Sequence, residues 1–183
     1  MTPARRPASR SLCRLALAAL LLAGGAQAQQ AAPTTYNDVQ QLLKAGKPAQ
    51  ALPQLDARLA ATPRDPQLRF LRAVALTDLG RQDEAIAALV DLTETYPELP
   101  EPYNNLAVLY AARDELDKAR EALEMAVRAR PDYAVAYENL GDIHARLARR
   151  AYTRAGELSP QMARSVAPRL ALLRDLLAPA PGR

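Results

Sequence analysis

An all-α fold is what this sequence predicts: a solenoid of antiparallel helix pairs, ending in one long fused helix and a C-terminal capping helix. Three observations predict it. The chain overlays on itself at a step of 34 residues, with Pro63, Pro97 and Pro131 in one column, Ala51, Ala85 and Ala119 in a second, and Leu55, Leu89 and Leu123 in a third. A period of that length with regular Pro and small-residue positions marks a helix-turn-helix repeat. Ala and Leu also recur at helical spacing between those columns, in a chain without Trp and with a single Phe. Lastly, counting forward from Tyr137 and backward from Pro160 leaves the final unit five residues short, where a turn belongs.

The first segment stands outside the repeats. Arg5, Arg6, Arg10 and Arg14 lead into the apolar run LALAALLLAGG, and AQA follows with Ala26 and Ala28 at the small positions. A basic start, a short apolar centre and A-x-A are the parts of a secretory signal peptide, so residues 1–28 are expected to be removed after Ala28. The expected location is the periplasm, as a soluble exported protein without stable membrane insertion after cleavage. The alternative is an uncleaved N-terminal anchor, which the shortness of the apolar run argues against. Cys13, the only cysteine, lies in this segment, so a mature chain has no disulfide, thiol nucleophile or cysteine metal site. Removing the four arginines from the 24 basic residues leaves 20 against 20 acidic ones. The excess positive charge therefore serves export, and no nucleic-acid partner is expected.

Residues 29–160 form the predicted solenoid, with units at about 32–65, 66–99, 100–133 and a truncated 134–160. Gly46 and Gly80 end the first helix of their units, because Gly takes the left-handed backbone conformation without steric cost; Asp114 holds the third place. Ala51, Ala85 and Ala119 let paired helices approach closely. Pro63, Pro97 and Pro131 stop the second helices. Asp65-Pro66 reads as an N-cap and first helical residue. One such unit cannot bury its own apolar face, so the units must stack.

In the short last unit, Leu140, Ile143, Leu147, Ala151, Ala155 and Leu158 make one stripe at helical spacing, predicting a single helix over 134–158. A hairpin with a minimal turn is the alternative. A fused helix cannot offer a following unit the usual two-helix surface, so it should terminate the stack. Ser159-Pro160 resets the chain, APRLALLRDLL in 161–177 supplies a capping helix, and 178–183 reads as a disordered tail.

The pattern Tyr103, Leu106-Ala107, Tyr110, Ala119, Leu123 and Pro131, repeated in its front half as Tyr137, Leu140-Gly141 and His144, resembles the tetratricopeptide repeat family. The resemblance extends over nearly the whole mature chain and implies a right-handed superhelix whose first helices line a concave, peptide-binding groove. It assigns to that groove Phe70, Val74, Thr77, Asn104, Asn105, Val108, Asn139 and Asp142, with Asp78, Ala112 and Glu138 beside them. Asn105 and Asn139 stand 34 apart, and an Asn amide both donates and accepts, so such a ladder pairs with peptide backbone whatever its sequence. The competing reading is that these amides only bond neighbouring helices. Some family members clamp a C-terminal carboxylate with Lys or Arg; Asn104, Val108, Glu138 and Asp142 at those places argue against that here.

Charge separates the two ends. Residues 29–140 hold 12 basic and 17 acidic side chains, whereas 141–183 hold 8 and 3. Arg146, Arg149, Arg150 and Arg154 form a basic stripe able to meet an acidic partner, lipid A phosphates or another copy's acidic surface, unless it is simply a solvated helix face. His144, the only His, is expected to pack at a helix interface in the place of a Tyr. With no paired His, no Ser/His/Asp constellation and no phosphate-cradling loop, the sequence predicts no catalytic residue, no metal and no cofactor. The expected function is a non-enzymatic scaffold or adaptor of the bacterial cell envelope that binds a peptide segment or helix at micromolar-order affinity. The alternative is weak homo-oligomerisation through the Arg-rich helix.

Overall fold

The computed structural model describes residues 36–178. The leader over 1–28 and all but Ala178 of the expected tail lie outside the described residues. Eight helices follow one another with no strand among the described residues: α1 Tyr36–Lys44, α2 Pro48–Ala61, α3 Pro66–Asp78, α4 Gln82–Thr95, α5 Pro100–Ala112, α6 Leu116–Ala129, α7 Ala134–Leu158 and α8 Pro160–Leu176. The first six form three hairpins, each packed against the next.

Local chemistry sets the turns inside the hairpins and the ends of their second helices. Gly46 at φ 66°, Gly80 at φ 73° and Asp114 at φ 61° turn the chain between the two helices of each hairpin. Behind each, the chain closes the same way. Gly80 N–H donates to Thr77 O at 2.9 Å and Arg81 N–H to Leu76 O at 2.9 Å; Asp114 and Glu115 repeat this on Ala111 and Tyr110 at 3.2 and 2.9 Å. The second helices end two residues before Pro63, Pro97 and Pro131, because the residue preceding a proline is pushed out of the helical region. Thr62 and Tyr96 accordingly have ψ of 68°.

Asp65 caps α3, its Oδ1 accepting from Leu68 N–H at 3.0 Å, while Tyr36 Oη donates to Oδ2 of the same carboxylate. Burial works against the Asp65 charge, but hydrogen bonds from Tyr36 and from the backbone N–H of Leu68 and Gln67 outweigh it. They hold the carboxyl below its ordinary 3.8. A depressed folded-state pKa stabilises above the unfolded value and is lost as pH falls through the folded one. Urea midpoints should therefore drop below about pH 4 for the native chain. Asp65→Asn, which still caps the helix but has neither the charge nor a second oxygen for Tyr36, should flatten that acid limb and be less stable than the native chain at neutral pH by the height of the limb it removes.

The core follows the repeat columns. Ala51, Ala85 and Ala119, with Leu55, Leu89 and Leu123, are all fully buried, so small residues bring each pair together and leucines fill the space between. Tyr103, Leu106 and Ala107 of α5 are covered by the same packing.

The short last unit is one unbroken helix of 25 residues, α7, with no turn at its centre. Ser159 caps α8, Met162 N–H donating to its Oγ at 3.4 Å. α8 packs against α7 at Gly156, where an added Cβ would stand 3.4 Å from Ala163 Cα and 3.7 Å from Val166 Cγ2, ordinary contact distances. The cap is a light one. Val166 is the buried residue of α8, whereas Leu172 and Leu176 stay 71% and 66% exposed.

His144 corrects an expectation. It is exposed rather than packed. Its repeat equivalent, Tyr110, lies beside α6 with the Lys118 ammonium 5.4 Å from its ring centroid. α7 has no second helix in that place, so His144 has nothing to pack on.

Candidate peptide-binding groove

The groove residues predicted from the sequence divide into three groups. Val108, Asn139 and Asp142 come together with Ala112 around a cavity of about 500 Å³ between α5 and α7. Ala107, Leu123 and Ile143 give it an apolar floor, and Arg146 and Leu177 complete the wall. Val108 is 51% exposed. Phe70 lies apart, in a smaller recess of about 270 Å³ with Pro66, Gln67, Leu99, Glu101 and Pro102. Val74 and Thr77 line neither cavity, and the Thr77 hydroxyl donates back to Ala73 O at 3.0 Å within its own helix.

The third group is the asparagines. Asn104 is buried, and Asn139 Nδ2 donates to its Oδ1 at 2.8 Å. That bond ties α5 to α7, so Asn104 braces the groove and does not face it. Asn139 keeps its carbonyl oxygen and one N–H for another partner. Asn105 is half-buried, with no side-chain hydrogen bond among the described residues.

The basic stripe is likewise divided. Arg146 Nη2 donates to Ala111 O at 2.9 Å and reaches Asp114 Oδ1 at 3.4 Å. Arg150 Nη2 donates to Asp114 O and Oδ2, both at 3.0 Å. Both arginines thus clamp α7 onto the α5–α6 turn. Arg154 pairs with Glu157 at 3.0 Å, and Arg149 is exposed. Together with Thr153 the four line a cleft of about 330 Å³ beside Asp114, where two carboxylates offset part of the charge. Among the described residues no group of His, Cys, Asp and Glu is placed to hold a metal, and no helix is long and apolar enough to cross a membrane.

Asp114 carries two separable roles, backbone turn and arginine acceptor. Asp114→Gly should keep the left-handed turn and lose only the exposed arginine bridges, which contribute little each. Asp114→Ala should be about 1 kcal/mol less stable than Asp114→Gly, because Ala meets a steric cost at positive φ that Gly does not. Urea denaturation of the two variants side by side measures the difference.

Beyond the apolar floor and Ala111, Leu177 and Arg146 are the lining residues that sequence reasoning did not assign to this cavity. Leu177 arrives from the end of α8, which no repeat register predicts; Arg146 reads from the sequence as a member of the basic stripe alone. The signal for Arg146 was its position, 34 after Ala112 on the groove side.

Stacked helical hairpins with an open cavity between two of their first helices define the class: a helical-repeat fold of the kind that serves protein–protein interaction. Tetratricopeptide-repeat models match residues 36–100 and 100–133, and the chain belongs to the tetratricopeptide repeat family. It is similar to the TPR repeat-containing protein YvcD of Bacillus subtilis (strain 168), 38% identical over 74 residues, which are 40% of this chain and 13% of that protein. The chain thus spans well under a fifth of the length of the curated relatives it matches. YrrB, described as a TPR protein with an unusual peptide-binding site, is 30% identical with a TM-score of 0.53, covering 56% of this chain and 53% of its own. TTC0263, a thermophilic TPR protein of Thermus thermophilus, shares the fold at a TM-score of 0.59 and 24% identity, over 80% of this chain and 81% of its own.

Proposed function

We propose that this protein is an exported, non-enzymatic adaptor of the bacterial cell envelope that holds a peptide segment or helix of another protein in the cavity between α5 and α7. The observation that carries the reading is the composition of that cavity. An exposed Val108 stands over an apolar floor, beside the remaining hydrogen-bonding capacity of Asn139 and the opposite charges of Asp142 and Arg146. Such a site buries an apolar anchor and orients its backbone, which suits a peptide better than a compact polar metabolite. The likeness to YrrB, with its peptide-binding site, supports the same reading. The envelope location rests on the leader read in residues 1–28, and removal of that leader leaves the groove facing the periplasm.

A photo-crosslinking residue at Val108, in the full chain expressed in its native host, tests this. A discrete heterologous band that disappears in Asp142→Lys is the expected result. A second probe at Arg154, on the basic stripe, should give no such band. If Arg154 captures the partner and Val108 captures nothing, the groove reading is wrong. Fractionation of the same cells decides the location, and a cytoplasmic, unshortened chain would overturn the export claim.

A further inference from the structure

The absent hairpin partner of α7 leaves a face largely uncovered: Tyr137, Gly141, His144, Ala151 and Leu158 are exposed, and Ala148 and Ala155 between them are half-buried. In α5 the corresponding face, Tyr103, Ala107 and the neighbouring Leu106, is buried by packing around α6. In α7 the equivalents Tyr137 and Gly141 are exposed, Tyr137 at 49%, with nothing within 4 Å of a Cβ built on Gly141. α8 does not take the vacant place. It lies on the adjoining face, against Gly156 and with the Arg169 guanidinium 5.7 Å from the Tyr152 ring centroid.

The uncovered face has a regular pattern. Tyr137, Gly141, His144, Ala148, Ala151, Ala155 and Leu158 are separated alternately by four and three residues, the spacing of a coiled-coil seam. Every charged residue of α7 lies off it. Its two bulky apolar members stand at the ends, with Leu158 68% exposed, and small residues occupy most of the interior.

We propose that this seam binds a second copy of itself, with two α7 helices packed antiparallel about a two-fold axis at Ala148. That arrangement sets Tyr137 opposite Leu158, Gly141 opposite Ala155 and His144 opposite Ala151, with Ala148 facing its own counterpart. Large side chains meet large ones at the ends, Ala148 meets Ala148 at the axis, and each His144 ring lies against the small Ala151 of the other copy. An isologous interface requires this self-complementarity, and a seam shaped for a different helix does not produce it. Arg154, beside the seam, falls opposite Leu140 of the other copy, so no like charges meet there. The seam is about 32 Å long. A single-helix interface sits at the low end of the specific size range, below about 1,200 Å², so the dimer forms in a concentration-dependent way. With no charge in the seam, it persists in high salt.

Cysteine crosslinking in the full chain, with Cys13→Ser to remove the native thiol, tests both contact and register. Ala148→Cys should give a disulfide-linked dimer under mild oxidation. Tyr137→Cys and Leu158→Cys should each fail alone, being about 30 Å from their own counterparts, yet crosslink to one another when co-expressed. Sedimentation equilibrium should show at least a tenfold weaker dimer for Ala151→Glu, with the circular dichroism melt unchanged, and no loss of the native dimer at 1 M salt. A monomer at every concentration, or self-crosslinking of Tyr137→Cys equal to that of Ala148→Cys, overturns the proposal. So does a dimer that dissolves in salt and ignores Ala151→Glu, which would point to the arginine cleft instead.

Discussion

Leu123→Ala should lower the free energy of unfolding by about 3 kcal/mol, the cost of a buried leucine whose cavity does not collapse. Leu123 is fully buried, and it sits under the third hairpin while also flooring the cavity beside Val108 and Ile143. The neighbouring backbones are held by Ala119 and Ala126, already as small as they can be without glycine, so they have little side chain with which to refill the space. Equilibrium urea denaturation, followed by far-UV circular dichroism, measures the effect. A loss under about 1 kcal/mol would mean that α5 and α6 close over the void, which their packing does not permit.

Arg149→Pro should cost about 3 kcal/mol or more, since the introduced ring has no N–H to bond Ala145 O and presses on that carbonyl. The experiment addresses the continuity of α7 directly. In a regular repeat this stretch lies close to the turn, where proline is tolerated. Within an unbroken helix it is not. Arg149 is exposed, so Arg149→Ala serves as a control that should change stability by less than about 0.5 kcal/mol. If the two variants melt alike, α7 has a turn at its centre and the uncovered seam does not exist as described.

The fold was legible because its determinants repeat. Pro63, Pro97 and Pro131, the paired alanines and the leucine column each act within one or two turns of helix, and their effect is the same in each unit. The fused helix over 134–158 was legible for the opposite reason: five residues were missing, and no Gly or Pro stands between Gly141 and Gly156, where the turn would fall. Asp114 shows the limit of column reading, for a side chain in a glycine place took on the anchoring of Arg146 and Arg150 as well.

The candidate site was only half legible. Sequence alone determined which residues lie on the first helices and on which face, because that depends on helical periodicity and repeat register. It could not determine which of them another helix would cover. Asn104 and Asn139 are adjacent candidates by register, yet only in three dimensions do they bond to each other, burying one and leaving the other at the rim. Leu177 reaches the groove because α8 folds back along α7, a path that no repeat register encodes. Register makes Tyr110 the equivalent of His144 and so predicts packing there; His144 is exposed because the second helix of its unit was never made. Periodicity is a local property and survives in one dimension. Burial depends on which neighbour arrives, and that was decided by the tertiary structure.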